Sequence, residues 1–170
     1  MATTKKAANK KSGRTRRTGK RDPMAITLLK KDHREVEGWF DEFEQLESGK
    51  EKKELFDKIA LALKVHTTIE EEIFYPGERG DVEDDMLDEA YVEHDGAKKL
   101  IAEIEKMAPD DDLYDAKVKV LGEYIKHHVK EEEQPGGIFS QAKKGDEDLN
   151  EMGEELKARK EELMQELGGK

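Results

Sequence analysis

Glu51 to Pro76 reads EKKELFDKIALALKVHTTIEEEIFYP. Leu55, Ile59, Ala62, Leu63, His66, Glu70 and Ile73 fall on one face when the stretch is wound as a helix of about residues 51–75, which Pro76 and the following Gly77–Gly80 segment bring to an end. That face is apolar except for one histidine and one glutamate. Four residues along a helix amount to about 6 Å of rise and about 40° of rotation, so His66 and Glu70 project together. A carboxylate left unpaired at such a position is costly, and metal coordination satisfies it.

The same arrangement recurs on either side of this stretch. A first helix starts at Asp22-Pro23, read as an N-cap followed by proline in the first turn. Its stripe runs through Ile26, Leu29, His33, Val36, Phe40 and Phe43 and ends near Ser48-Gly49. A third helix, about Val82 to Met107, aligns Leu87, Ala90, His94, Ala97, Ile101 and Ile104. A fourth, about Leu113 to Glu133, aligns Val118, Leu121, Ile125, His128 and Glu132, and Gln134-Pro135-Gly136-Gly137 stops it. A last, highly charged helix, about Asp146 to Leu167, has only a weak stripe (Leu149, Met152, Leu156, Leu163) and is expected to lie across the outside or fray. No segment alternates like a strand. The expected fold is all-α: an antiparallel up-down four-helix bundle over residues 22–140, an extra charged helix over 141–170, and a disordered basic tail over 1–21.

Composition limits the chemistry. The chain has no cysteine, so any metal must rest on His, Asp, Glu or Tyr. No apolar run approaches the length of a membrane span, and the basic N-terminus lacks the apolar core of a secretory signal, so a cytoplasmic protein is the default. Of 31 bases, nine lie within residues 1–21, which hold no acid; the net charge of −11 therefore divides into a cationic arm and an acidic body. Such a body repels nucleic-acid phosphates, whereas the arm could contact nucleic acid or an acidic partner. Leu, Ile, Val and Phe make up only about a fifth of the chain, near the border for folding, so a metal staple would help the core.

Taken singly, a histidine on an apolar face is more often a hydrogen-bonded core residue, and Glu-Glu-Glu runs such as 70–72 and 131–133 are solvated faces. Together the features point elsewhere. Four of the five histidines sit in the stripes of four separate helices, two of them with a glutamate four residues on. Convergent His and carboxylate side chains from facing helices are how bundle cores hold metal.

The stretches His66-Thr-Thr-Ile-Glu70-Glu-Glu-Ile-Phe-Tyr-Pro76 and Tyr124-Ile-Lys-His-His-Val-Lys-Glu-Glu-Glu133 resemble the two signature segments of hemerythrin-like HHE cation-binding proteins. Asp32-His33-Arg-Glu-Val-Glu37 and Val92-Glu-His94-Asp resemble the segments that carry the other two histidines. The resemblance, over about residues 24–165, implies a non-haem di-iron centre with ligands His33, His66, Glu70, His94, His128 and Glu132. Glu70 and Glu132 would bridge two oxo- or hydroxo-linked Fe ions about 3.5 Å apart, with zinc or manganese as substitutes. His127 competes with His128, since His127-x-x-x-Glu131 has the same spacing; the glutamate-to-proline interval favours His128 and Glu132 and leaves His127 and Glu131 as alternates or neighbours. Oxygen-carrying members have a fifth histidine four residues from another on the third helix. Here those positions are Ala90 and Lys98, so one iron lacks a ligand, to be filled by water, by Tyr91 or by nothing.

The implied function is to bind or react with oxygen, peroxide or nitric oxide, as sensor, scavenger or store, with catalase- or reductase-like turnover as an extension. A metal-stapled structural or iron-buffering bundle is one alternative. An interaction module that touches nucleic acid through residues 1–21 is another. Monomer and dimer are both compatible with the sequence.

Overall fold

The computed structural model describes residues 21–169, and the expected basic tail therefore lies almost wholly outside the described residues. Four long helices form the bundle: α1 (Met24–Phe43), α2 (Gly49–Ile69), α4 (Asp84–Ile104) and α5 (Tyr114–Glu133). Between α2 and α4 come a π-turn (Glu70–Phe74) and a single helical turn, α3 (Tyr75–Gly77). A short α6 (Ile138–Ala142) and a long α7 (Leu149–Gly168) follow. In the ring of bundle helices α1 neighbours α2 and α5, and α4 neighbours α5 and α2. No helix among the described residues is long and apolar enough to cross a membrane.

Two local features differ from the sequence reading. Asp22 does not cap α1: Pro23 holds the N-cap position without a side-chain cap, and Asp22 pairs instead with Lys30 at 2.7 Å and Lys143 at 2.9 Å. The second helix does not stop at Pro76 but widens into the π-turn just before it. The proline has no N–H to continue the ladder, and the Tyr75 N–H reaches back five residues to the Glu70 carbonyl. This shifts the phase, so that Ile73, expected on the buried face, is only half-buried while Phe74 and Tyr75 are fully buried.

Of the two alternatives for the last helix, α7 lies on the outside of the bundle, against α1 and α2, and does not fray. Asp148 caps it by accepting from the N–H groups of Asn150 and Glu151. Leu149, Met152, Leu156 and Leu163 are all buried, so the weak stripe is sufficient. Gly153 lets the two helices touch, because a Cβ there would lie 2.6 Å from the Cβ of Met24. Arg159 adds an ion pair to Glu72 at 2.7 Å.

The apolar interior is divided into two blocks. One holds Ile26, Leu29, Ile69, Phe74, Leu87, Ala90, Phe139 and Leu156 among others. The second holds Val36, Phe40, Leu63, Ala97, Ile101, Leu121, Ile125 and Val129 among others. Three bundle helices cross from one block to the other at their histidines, Leu29–His33–Val36, Leu63–His66–Ile69 and Ala90–His94–Ala97, whereas α5 packs only in the second block and Ile138 and Phe139 of α6 follow it in the first. The histidines and glutamates thus form a polar layer across the middle of the core.

Leu156 tests the place of α7 in the fold. Leu156→Ala should destabilise the protein by about 2–5 kcal/mol in a denaturant titration, the range for emptying a buried leucine site. A peripheral helix would yield about 0.5 kcal/mol or less.

Candidate metal centre

All four stripe histidines turn Nε2 toward the centre of the polar layer. The Nε2 atoms of His33 and His66 are 3.1 Å apart, and those of His94 and His128 are 3.0 Å apart. Between the pairs lie two fully buried carboxylates. Glu70 aims Oε1 at His66 (3.2 Å) and Oε2 at His94 (3.3 Å), so one carboxylate spans both pairs. Glu132 places Oε2 3.2 Å from His33 and 3.6 Å from His128. Two groups with metal-ligand spacing result: His33, His66, Glu70 and Glu132, and Glu70, His94 and His128.

The outward nitrogens are held as well, each by an acid from a neighbouring element. His33 Nδ1 meets Glu133 at 2.7 Å, His66 Nδ1 meets Asp32 at 3.5 Å, His94 Nδ1 meets Glu71 at 3.0 Å, and His128 Nδ1 meets Glu93 at 2.7 Å. Each acid in turn faces a base: Arg34 on Glu133, Lys160 of α7 on Asp32, Lys98 on Glu71, and His127 on Glu93. A proton donated from Nδ1 to a carboxylate leaves a lone pair on Nε2, the tautomer a metal requires.

A cation fits this arrangement on chemical grounds. Glu70 Oε1 and Glu132 Oε2 are buried with no hydrogen-bond partner. Without an ion the site must gather protons instead. Burial opposes charge on His66, but Glu70 and Asp32 outweigh it and raise its pKa to about 10. Burial likewise opposes ionisation of Glu70, yet His66 and His94 hold it well below the usual carboxylate range. A metal would replace those protons with a compact positive charge.

Residues 24–135 match the hemerythrin HHE cation-binding domain. The chain belongs to that family. A hemerythrin HHE cation-binding domain-containing protein from Mycobacterium kansasii has a similar structure, with a TM-score of 0.70 at 22% identity, covering 84% of this chain and 88% of that one. A protein from Nostoc sp. named DNA nickase is 27% identical over 155 residues, which cover 91% of this chain and 44% of that protein. The chain thus spans less than half the length of that curated relative.

Within this hemerythrin-like bundle, His127 and Glu131 do not face the centre. His127 is exposed and contacts Glu131 at 3.2 Å and Glu93 at 3.4 Å, because it sits about 100° round α5 from His128. Tyr91 does not reach the centre either; its hydroxyl meets the Glu71 carbonyl at 3.3 Å. Tyr75 does. Its hydroxyl lies 3.0 Å from Glu132 Oε1, 3.3 Å from His94 Nε2 and 3.4 Å from both Glu70 Oε2 and His128 Nε2. In an α-helix Tyr75 would stand about 140° from Glu70; the wider π-turn narrows that angle and lets the hydroxyl reach Glu70. The only sequence signal was Pro76, which breaks the ladder next door. Short α6, absent from the sequence reading, adds Phe139, whose ring stacks on His33 at 5.7 Å.

Another buried carboxylate, Glu78, lies outside the centre, and neither of its oxygens has a hydrogen-bond partner. Burial, then Asp81 and Glu147, push its pKa up from 4.5 to about 7. A folded-state value above the unfolded one means that the contribution of Glu78 to stability is fully present below pH 4.5 and is lost as pH rises toward 7. Glu78→Gln should remove that loss, gaining about 3 kcal/mol over wild type at pH 8 and little at pH 4, by denaturant titration at each pH. An equal wild-type-to-variant difference at both pH values would contradict it.

Proposed function

We propose that the chain holds two iron ions in the polar layer and uses them to bind or reduce oxygen, peroxide or nitric oxide. The observation that carries this reading is Glu70, whose two oxygens face the two histidine pairs, with Glu132 opposite it. His33 and His66 with both carboxylates would hold one ion, and His94 and His128 with Glu70 the second, with Glu132 nearby. Imidazoles with hard carboxylates suit iron, which supplies single electrons to a small ligand.

A small space of about 10 Å³ beside the histidines is bordered by Val36, Leu63, Ile125 and Val129, so this side of the centre is apolar. The Tyr75 hydroxyl keeps its proton, because burial and then the charges of Glu132 and Glu70 push its pKa well above that of an ordinary tyrosine. It holds that proton beside His94 and His128 and can donate it to Glu132 or to an incoming ligand.

Protein purified from iron-replete cells should contain about two irons per chain and show near-ultraviolet absorption that changes on adding peroxide. Tyr75→Phe should keep the iron and slow the peroxide response on the order of a hundredfold. Removing the metal should lower the melting temperature by roughly 10 °C, since each kcal/mol lost shifts a domain of this size by about 2–4 °C. Zinc, or substoichiometric metal with no chromophore, would instead mean a structural bundle.

A second reading concerns residues 1–21, whose nine bases accompany no acid. The likeness to a protein named DNA nickase favours nucleic acid as their partner. Deleting 1–21 should abolish any DNA mobility shift and its salt dependence. A shift unchanged by the deletion ends this reading.

A further inference from the structure

We propose that Glu93, His127 and Glu131 form an outer divalent-cation site that takes metal from solvent and passes it to the buried centre. One ligand atom from each of the three lies within 4.8 Å of the others. Glu93 comes from α4, while His127 and Glu131 stand one turn apart on α5. Two carboxylates and one imidazole are a divalent-cation donor set, and the exposure of His127 leaves it open to water.

Position gives the cluster its role. Beside it opens a cleft of about 160 Å³ lined by Glu89, Glu93 and Glu131 together with His128 and Glu132 of the centre. At the inner end Glu132 is fully buried; its Oε1 accepts from Tyr75, and its Oε2 has no hydrogen-bond partner and faces His33 and His128. Among the described residues, no lysine or arginine lines the cleft. A single-sign cleft of this kind concentrates cations and speeds their capture. Glu93 joins the two sites, because its Oε1 faces His127 and its Oε2 accepts from His128 Nδ1 at 2.7 Å. An ion held at the outer site is thus one carboxylate away from an inner ligand. The bland account, an exposed i,i+4 pair of His127 with Glu131, explains neither the second carboxylate nor the cleft behind it.

The proposal rests on the reading that the centre takes metal, and the test separates the two. Full-length protein stripped of metal is mixed with Co²⁺, and uptake is followed by stopped-flow absorption. His127→Ala with Glu131→Gln, both at the surface, should load on the order of tenfold more slowly than wild type, yet reach the same final Co²⁺ content. Wild-type loading should slow as salt is added. Equal loading rates in the two proteins would overturn the transit role. If Glu70→Gln with Glu132→Gln retains as much Co²⁺ as wild type, the reading of the centre fails instead. In that doubly substituted background the outer site must still bind one weakly held Co²⁺ by calorimetry and lose it with His127→Ala; no such binding sinks the outer site itself.

Discussion

Four hydrogen bonds between a histidine and an acid on the next element close a ring around the bundle. Asp32 of α1 accepts from His66 of α2, and Glu71, just after α2, accepts from His94 of α4. Glu93 of α4 accepts from His128 of α5, and Glu133 of α5 accepts from His33 of α1, which completes the circuit. Short hydrogen bonds to charged groups are worth about 1.5–3 kcal/mol each; three of these are of that kind, the His66–Asp32 contact at 3.5 Å is weaker, and all four set the direction of an imidazole. The inward convergence of four Nε2 atoms on two buried glutamates depends on this outer ring.

The ring explains why so many charges can sit near the core of a protein with few large apolar residues. Each Glu-Glu-Glu run serves three purposes. Glu70 and Glu132 face the centre, Glu71 and Glu133 orient histidines, and Glu72 and Glu131 face outward to Arg159 and His127. The last helix belongs to the same system. Lys160 balances Asp32, which stays ionised because His66 and Lys160 outweigh its burial. A helix that packs on the bundle through leucines therefore also supports the orientation of His66.

The phase of each apolar stripe was legible because helix periodicity is local. His33, His66, His94 and His128 each stand where an apolar residue would otherwise sit, and a glutamate four residues after two of them shares the face. The acids that hold the outward nitrogens were not legible in that way. Asp32 adjoins His33 but serves His66, and Glu93 adjoins His94 but serves His128, so neighbours in sequence are not partners in space. Nor could stripe counting place Tyr75, because a single widened turn changed the helix phase just before it.

The sequence by itself therefore determined the helical bundle, the polar layer and the histidines and glutamates that compose it, since these follow from which residues share a face of one helix. Only the tertiary structure decided which acid holds which histidine, that Tyr75 rather than Tyr91 enters the centre, and that α6 and α7 close over it. Those outcomes depend on how separate helices are juxtaposed and on one departure from α geometry. Neither is encoded in the spacing of residues along a single helix.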